Sequence, residues 1–222
     1  MEQLILSLAP PPPPTLENFF EGANGHALHA LRALLTGGPD RSVHLWGPPG
    51  SGRTHLLRAA AAAVAAAGGT AVWAPADVGS ANMPAPSLLL CDDVDRLDDH
   101  AQLQAFEMID AARRGGWGTL TAALHPAHDL PVRADLRTRL AQSLAVAVTP
   151  LSDEEKRAAL ATHAADRGMP LAPETIDYVI ARVRRDMGTL MAVIDALDRH
   201  SLRAQRPLTV PLAREVLQQL DF

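Results

Sequence analysis

The amino-acid sequence predicts an α/β fold: a five-stranded, mostly parallel sheet with helices, followed by a small all-helical lid. Three observations lead to this prediction. Residues 42–67 read as a strand, a glycine-rich loop and a helix; strand and helix patterns alternate from about residue 16 to residue 150; and only helical patterns occur after Pro150. Alternation of this kind is typical of a parallel sheet whose connections are helices.

The predicted strands are short apolar runs rich in strand-forming residues. They lie at residues 43–46, 70–73, 88–91, 118–123 and 144–148. Apolar residues at helical spacing predict helices near residues 26–35, 54–67, 98–113 and 134–140. Gly68 and Gly69 end the second of these helices, and the segment 75–86, which contains prolines and glycine, is predicted to be a loop.

The C-terminal part of the chain is predicted to consist of helices. Ser152 and Glu155 form a capping-box pattern that opens the first, which runs to about Arg167 and is stopped by Gly168. The others lie near residues 173–183, 187–204 and 211–220, and Thr209 caps the last. The sequence therefore predicts three parts, at residues 1–15, 16–150 and 151–222.

The composition is that of an ordinary globular protein. Its 222 residues are 47% hydrophobic and carry a formal net charge of −5, which argues against a large DNA-binding surface. No apolar run reaches the roughly 18 residues that span a bilayer, and the N-terminus lacks the basic start of a signal peptide. A cytoplasmic location with no membrane partner is expected. The single cysteine, Cys91, is interpreted as a buried hydrophobic residue.

The N-terminus carries a short apolar peptide on a proline spacer. Gln3, Leu4, Leu6 and Leu8 precede five prolines at residues 10–14. Polyproline rises about 3.1 Å per residue, so the spacer would hold the peptide about 15 Å from the domain. An apolar peptide on a stiff stalk favours a docking element. The alternative is a strand or tail that folds back onto the domain.

Residues 47–54, GPPGSGRT, match a phosphate-binding loop with arginine at the lysine position. In such loops glycines let backbone N–H groups surround phosphate, a lysine reaches the β and γ oxygens, and a hydroxyl holds Mg²⁺. A planar guanidinium is not equivalent to a compact ammonium, so a tight grip on a γ-phosphate is not expected. The predicted nucleotide-binding residues of this segment are Gly47, Pro48, Gly50, Ser51, Gly52, Arg53, Thr54 and His55.

Arg53 also reflects the composition of the whole chain. Lys156 is the only lysine among 20 Lys and Arg residues, so a general bias towards arginine explains part of the substitution. The order of strand, glycine loop and helix around residues 47–54 nevertheless favours a nucleotide site over a plain turn between unrelated elements.

A buried strand ending in acidic residues supplies the second half of the predicted nucleotide site. Residues 88–91 are apolar and are followed by Asp92 and Asp93. Asp92 is predicted to share a Mg²⁺ ion with Thr54, and Asp93 stands where a carboxylate would orient water. Apolar strands ending in aspartate are common, and the combination with residues 47–54 makes the prediction specific.

Two arginines precede the last predicted strand. Arg137 and Arg139 stand two residues apart, so they cannot both face the same way on a helix. One of them could reach a neighbour's nucleotide as an arginine finger. The alternative is a pair of surface arginines that form ion pairs with Asp135 and other acids. The nine histidines are scattered, and none is predicted to bind a metal.

With these motifs in view, the chain resembles the AAA+ domain of the bacterial initiator DnaA and, more closely, its shorter regulatory homologues of the Hda type. The resemblance rests on four segments and covers nearly the whole chain. These are LENFFEG at residues 16–22, GPPGSGRTHLL at 47–57, LLLCDDVDRL at 88–97 and DLRTRL at 135–140. The resemblance implies a P-loop AAA+ fold in which the first segment, with Phe19, lies near the adenine.

The resemblance also implies roles for two arginines. Arg139 falls where the family carries its arginine finger, and Arg53 in place of lysine is familiar in Hda-like proteins. Two positions depart from the pattern: Gly188 stands where a second sensor arginine is expected, and the polar first sensor falls near Ala123. We therefore expect a bound nucleotide, ADP or ATP, with Mg²⁺ and little self-contained ATPase activity. Arg184 or Arg185 could replace the missing sensor.

By resemblance, residues 3–8 are similar to the peptide by which replication proteins dock on the sliding clamp, with Ser7 where proline is usual. The chain also ends after the lid, without a counterpart of the helix-turn-helix of DnaA, so little direct DNA binding is expected. The implied function is inhibition of DNA replication initiation: the chain binds the DNA-loaded clamp and promotes hydrolysis of ATP on DnaA.

Two other functions stay open on the sequence alone. One is a free-standing AAA+ ATPase such as a helicase loader, in which Arg53, Thr54, Asp92 and Asp93 act on the chain's own ATP. The other is a DNA-binding paralogue of DnaA. The net negative charge of the chain argues against this function. The sequence does not decide the oligomeric state, and a homo-oligomer is one of the states considered.

Overall fold

The computed structural model describes residues 13–77, 87–183 and 186–219. Contacts divide the chain into two compact units, Pro13–Pro150 and the helices that follow from Leu151. The predicted docking peptide at residues 3–8, most of the predicted loop at 75–86, and the two candidate sensor residues Arg184 and Arg185 lie outside the described residues.

The first unit is built from alternating helices and strands. In chain order they are α1 (Gly25–Leu35), β1 (Ser42–Trp46), α2 (Arg53–Ala66), β2 (Thr70–Trp73), β3 (Ser87–Cys91), α3 (Asp99–Arg114), β4 (Gly118–Ala123), α4 (Ala134–Leu140) and β5 (Leu144–Ala147). Each predicted strand and helix of this part is confirmed to within one residue at either end. Two short 3-10 turns, Val94–Arg96 and Ala127–Asp129, were not predicted.

The five strands form one sheet in the order β2-β3-β4-β1-β5. Every neighbouring pair is parallel, so the expectation of a mostly parallel sheet is confirmed. Trp46 at the end of β1 pairs with Ala123 on one side and Ala147 on the other. The carboxyl ends of β1, β4 and β5 therefore meet at one edge of the sheet, and their amino ends meet at the opposite edge.

Helices cover both faces of this sheet, which explains why its central strands are apolar throughout. Along β3 the side chains alternate between two buried clusters: Leu88 and Leu90 pack with residues of α1 and α2, and Leu89 and Cys91 pack with residues of α3 and α4. Cys91 is fully buried, which confirms its interpretation as a core residue. Burial raises the pKa of its thiol to about 12, with the nearby Asp92 carboxylate adding to the effect.

One polar pair interrupts the apolar centre of the sheet. His44 of β1 is fully buried, and its Nδ1 lies 2.9 Å from Thr121 Oγ1 of β4. The other ring nitrogen, Nε2, lies 3.3 Å from the carbonyl oxygen of His125. Both ring nitrogens thus have a partner, as a buried imidazole requires.

The second unit consists of four helices: α5 (Asp153–Asp166), α6 (Pro173–Ile180), α7 (Met187–Ala204) and α8 (Val210–Gln219). The predicted capping box is present, because Ser152 Oγ accepts from the Glu155 N–H at 3.1 Å and Glu155 Oε2 accepts from the Ser152 N–H at 2.7 Å. Helix α6 ends three residues earlier than predicted. Apolar residues of all four helices form one buried cluster, which includes Leu160, Ile176, Val193 and Leu212.

Within the described ranges, no helix combines the length and the apolar character that a membrane crossing requires.

Candidate functional site

The loop formed by residues 47–52 connects β1 to α2 at the carboxyl edge of the sheet. Its first residue is held against two neighbouring strands: the Gly47 N–H donates to the Ala123 carbonyl oxygen at 3.3 Å, and a Cβ on Gly47 would lie 2.1 Å from the carbonyl oxygen of Val148. Only glycine fits such a close approach of two backbones. The loop therefore starts from a fixed point on the sheet.

Gly52 ends the loop in a conformation that favours glycine. Its φ is +99°, and a Cβ at this position would lie 2.6 Å from Phe19 Cε2. Helix α2 begins at the next residue, Arg53, so the backbone N–H groups of its first turn open towards the loop. A glycine loop leading into the N-terminus of a helix is a ready-made binding place for phosphate.

Two side chains of the loop region carry buried polar atoms without a hydrogen-bond partner among the described residues. Ser51 Oγ and Arg53 Nη1 are both buried, and neither has a hydrogen-bond partner in the part of the chain that the structure describes. Leaving buried donors unsatisfied is costly, and native proteins rarely do so without a reason. A hydroxyl and a guanidinium next to a glycine loop fit the phosphate groups of a nucleotide.

Thr54 and Asp92 meet beside this loop, as the sequence predicts for a magnesium site. Thr54 Oγ1 donates to Asp92 Oδ2 at 2.6 Å, and Asp92 Oδ1 accepts from the Asp93 N–H at 3.0 Å. No group of three His, Cys, Asp or Glu residues among those described could hold a metal ion by itself. Thr54 and Asp92 could hold Mg²⁺ only together with oxygens of a nucleotide and water, which is how this ion usually binds.

Asp93 is engaged by two arginines. Its Oδ1 lies 3.6 Å from Arg53 Nη2 and its Oδ2 lies 3.5 Å from Arg96 Nη1. The backbone of Asp93 is left-handed, with φ at +44°, where the chain leaves β3. This carboxylate, which the sequence suggested for orienting water, forms ion pairs with both arginines. The substituted Arg53 is one of them.

The segment before α1 lies against the first turns of α2. His55 Nε2 lies 3.0 Å from the Thr15 carbonyl oxygen, and the rings of Phe19 and His55 are 5.5 Å apart between centroids. Burial lowers the pKa of His55, and its hydrogen bond to Thr15 partly offsets this effect. Phe19 and His55 therefore stand next to Gly52, beside the place where the loop would hold phosphate.

Arg139 of α4 is held against α3. Its Nη2 lies 2.6 Å from Asp110 Oδ1, its Nη1 lies 3.4 Å from Gln142 Oε1, and its Cζ lies 5.8 Å from the centroid of the Phe106 ring. The side chain is 27% exposed. The acid that pairs with Arg139 is thus 29 residues away in the chain.

The other arginines of α4 have different partners. Arg137 Nη1 lies 3.4 Å from the carbonyl oxygens of both Leu130 and Val132. Asp135, which the sequence offered as a partner for Arg137 and Arg139, pairs at 2.8 Å with Arg133. That part of the expectation is wrong, because Arg133, at the N-cap of α4, stands two residues before Asp135 and pairs with it directly.

Comparison with known proteins identifies the family. Residues 153–217 match the family model described as the lid domain of Hda. Over 214 residues the chain is 32% identical to an uncharacterized protein of Haemophilus influenzae, an alignment that covers 91% of this chain and 93% of that protein. This chain belongs to the Hda family.

Solved structures show that the Hda-family chain shares the fold of DnaA. Domain III of the Thermotoga maritima replication initiation protein DnaA is 18% identical with a TM-score of 0.75, covering 95% of this chain and 98% of that one. AMPPCP-bound DnaA from Aquifex aeolicus is 21% identical with a TM-score of 0.66, covering 86% and 69%. The α/β AAA+ fold with a helical lid is thus confirmed.

The two residues that the resemblance places at sensor positions, Ala123 and Gly188, carry no polar side chain. Ala123 is buried at the end of β4, next to the loop residue Gly47. Gly188 lies in the first turn of α7, where Asp186 caps the helix by accepting from the Thr189 N–H at 2.9 Å. A Cβ on Gly188 would have Asp186 Oδ1 at 3.6 Å and no other described atom within 4 Å. The space for a side chain exists, and the residue does not fill it.

Sequence reasoning missed the residues that surround Arg139. Phe106 and Asp110 stand four residues apart on α3, a spacing that places them on one face of the helix. Gln142 lies two residues beyond the end of α4. The spacing signal for Phe106 and Asp110 was present, but nothing in the sequence connects that face to α4.

Proposed function

We propose that this Hda-family chain regulates replication initiation by stimulating hydrolysis of the ATP bound to DnaA, which leaves DnaA in its inactive ADP form. In this proposal residues 3–8 bind the DNA-loaded sliding clamp, the β subunit of DNA polymerase III, and Arg139 enters the nucleotide site of DnaA. Family membership and the DnaA-like fold support the coarser statement that the chain is a DnaA-related regulator of replication initiation.

One observation carries the proposal: Arg139 lies at the edge of the sheet opposite the chain's own phosphate loop. Its neighbour Gln142 stands just before β5, whose first residue, Leu144, pairs with Val43 near the start of β1. The loop begins at Gly47, beyond the other end of β1. At about 3.3 Å per residue, the five residues of β1 separate these edges by roughly 13 Å. An arginine so placed is suited to another molecule's nucleotide.

The reaction itself would take place on DnaA. A water oxygen attacks the γ-phosphorus of ATP, the bond from that phosphorus to the β–γ bridging oxygen breaks, and this oxygen leaves with the electron pair as part of ADP. Phosphate and a proton are the other products. Negative charge on the transferred phosphoryl group is what an arginine finger stabilises, an effect worth about 10³ to 10⁵ in rate in other phosphoryl-transfer systems.

The chain's own nucleotide has a different role in this proposal. Residues 47–54 would hold ADP, or ATP, with Mg²⁺ at Thr54 and Asp92, and the nucleotide would stabilise the folded shape from which Arg139 acts. Little hydrolysis is expected, because Ala123 and Gly188 offer no polar side chain to a γ-phosphate. The ion pairs of Asp93 with Arg53 and Arg96 also favour low hydrolysis, since they engage the carboxylate that would orient water.

The finger assignment is tested by substitution. DnaA is loaded with labelled ATP and incubated with the clamp on DNA and the wild-type chain, Arg139→Ala or Arg137→Ala. Arg139→Ala is expected to abolish the stimulated hydrolysis. Arg137→Ala should retain most of it, because Arg137 is directed to carbonyl oxygens of its own domain. Full stimulation by Arg139→Ala would remove Arg139 from the mechanism.

The clamp partner is tested separately by a pull-down. The double variant Gln3→Ala with Leu6→Ala should lose binding to the DNA-loaded clamp and keep its folded helical signal. A matched control replaces Glu2 with alanine, which leaves the apolar positions intact. Equal retention of the double variant and the wild type would reject docking through residues 3–8.

A free-standing ATPase is the second candidate, and the intact contact between Thr54 and Asp92 favours it. It predicts steady ATP turnover by the purified chain without DnaA or clamp, and loss of that turnover in Asp93→Asn. Absence of turnover together with a co-purifying ADP would support the regulator instead.

A further inference from the structure

We propose that Asp110 is the positioning residue for Arg139: it holds the guanidinium in the place from which it acts. The inference rests on the proposed function, in which Arg139 is the arginine finger. It adds Asp110 of α3, which lies outside the segment that carries the finger, to the residues needed for stimulated hydrolysis of ATP on DnaA.

Three groups surround the guanidinium of Arg139. Asp110 Oδ1 accepts from Nη2 at 2.6 Å, the Phe106 ring lies under the guanidinium at 5.8 Å from Cζ to centroid, and Gln142 Oε1 lies 3.4 Å from Nη1. Asp110 makes the short, charged contact, whereas the other two are a ring face and a long neutral hydrogen bond. We call these three groups, Asp110, Phe106 and Gln142, the socket of Arg139. Charge-assisted hydrogen bonds are stronger than neutral ones, so Asp110 contributes most to holding the guanidinium in this socket.

The state of Nε shows that the contacts around the guanidinium of Arg139 are favourable in sum. Arg139 Nε is buried, and it finds no hydrogen-bond acceptor among the described residues. Without favourable contacts elsewhere, the arginine side chain would adopt a rotamer that exposes this N–H to water, because a buried, unsatisfied donor is unfavourable. Arg139 nevertheless lies in the socket. The attraction of Asp110 and the Phe106 ring therefore outweighs the loss at Nε.

Asp110 is itself held in place. Its other carboxylate oxygen, Oδ2, accepts from Arg114, one turn further along α3. Arg114 is 71% exposed, so this contact contributes orientation more than stability. Two arginines thus share one carboxylate, and the rigid helix α3 carries it.

Occupation of the socket leaves donors for a partner. A guanidinium has five N–H groups, of which Asp110 and Gln142 engage one on each Nη atom. The described residues give the second hydrogen of each Nη no acceptor, so these hydrogens could bind an anionic group such as phosphate. A long arginine side chain loses much rotamer freedom when it binds, and a side chain already held in one rotamer loses less. Asp110 would supply this pre-organisation.

The test compares Asp110→Asn, Asp110→Glu and the control Asp135→Asn in stimulated hydrolysis of ATP on DnaA with clamp-loaded DNA. Asp135 is a matched carboxylate that pairs with Arg133, whereas Arg139 pairs with Asp110. Both the maximal rate and the half-saturating concentration of the chain are measured. Asp110→Asn is expected to lower the maximal rate by about tenfold, since small misplacements of catalytic groups are costly.

A positioning role also predicts what stays the same. Asp110→Asn should leave the half-saturating concentration within about twofold, Asp110→Glu should restore most of the rate, and Asp135→Asn should match the wild type. Adding Asp110→Asn to Arg139→Ala should cause no further loss, because the two residues act as one unit. An unchanged or increased maximal rate in Asp110→Asn would overturn the inference, as would a change confined to the half-saturating concentration.

A second measurement needs no DnaA. Phenylglyoxal modifies accessible arginines, and peptide mapping of the treated full-length chain reads each site separately. In Asp110→Asn, modification of Arg139 should rise several-fold relative to Arg137, whereas Asp135→Asn should leave that ratio unchanged. An unchanged ratio in Asp110→Asn would overturn the inference by itself.

The two proposals fail in different ways. Full stimulation by Arg139→Ala would reject the finger assignment whatever Asp110 does. Loss of stimulation in Arg139→Ala with normal behaviour of Asp110→Asn would reject the positioning role alone.

Discussion

Thr54 and Asp92, 38 residues apart in the chain, are joined by a hydrogen bond of 2.6 Å between Oγ1 and Oδ2. The contact links the first turn of α2 to the end of β3. It places a hydroxyl and a carboxylate side by side at the mouth of the glycine loop, where both could face a hydrated cation.

Asp92→Asn should remove the magnesium dependence of nucleotide binding. The amide oxygen can still accept the Thr54 hydroxyl, so the fold is retained, but the charge that would attract Mg²⁺ is lost. Titration with a fluorescent ADP analogue, with Mg²⁺ and with EDTA, measures the effect. Wild type should bind more tightly with Mg²⁺, and Asp92→Asn should bind equally in both. The exposed Asp129→Asn is the control, and an undiminished Mg²⁺ effect in Asp92→Asn would exclude Asp92 from the site.

Gly52→Ala should lower both stability and nucleotide binding. The substitution places a side chain at φ +99° and 2.6 Å from Phe19 Cε2. Gly68→Ala is the matched control, because Gly68 has φ +78° and a Cβ added there would have no described atom within 4 Å. Gly68→Ala should cost about 1–2 kcal/mol in the free energy of unfolding through backbone strain alone. Gly52→Ala should cost more, measured by urea unfolding, and Phe19→Ala should recover part of the difference.

The buried His44 should make stability fall in acid. Burial lowers its pKa and the Arg53 cation adds to this, against raising contributions from the His125 carbonyl and Asp95. The unfolded chain then binds the proton more readily than the folded one. The stabilisation is complete above the unfolded pKa of about 6.5 and is lost as the pH falls from there through the folded pKa, by up to about 1.4 kcal/mol per pH unit.

Urea unfolding between pH 7.5 and pH 5 tests this dependence. His44→Asn should flatten the decline, and part of it should remain because the pKa of His55 is lowered as well. His29→Asn, at an exposed position of α1, is the control and should follow the wild type. A decline of equal steepness in His44→Asn would assign the acid sensitivity to other groups.

Cys91 should be unreactive in the folded chain. The thiol is fully buried and its pKa is raised to about 12, so at pH 8 neither access nor thiolate is available. An aromatic disulfide reagent should release no colour from the native protein and one equivalent after addition of guanidinium chloride. Rapid native reaction would show that β3 opens locally.

Much of the fold could be predicted because its signals are local. The glycines that end α2, the capping box at Ser152 and the apolar strand runs each lie within a few residues of the feature they specify. The predictions failed where no recognised local signal marks the feature. The turn Val94–Arg96 follows Asp93, whose backbone is left-handed. Helix α6 ends at Ile180, although neither glycine nor proline follows it within the next few residues.

The sequence by itself determined the glycine loop of the candidate nucleotide site, because the strand, the glycines of residues 47–52 and the helix that follows are contiguous in the chain. Only the tertiary structure decided where the arginines belong. Arg53 meets Asp93 and Arg139 meets Asp110 across 40 and 29 residues of chain, by the packing of one helix on a strand end and of another on α3. Such pairs depend on the three-dimensional arrangement of distant elements, which no local spacing encodes.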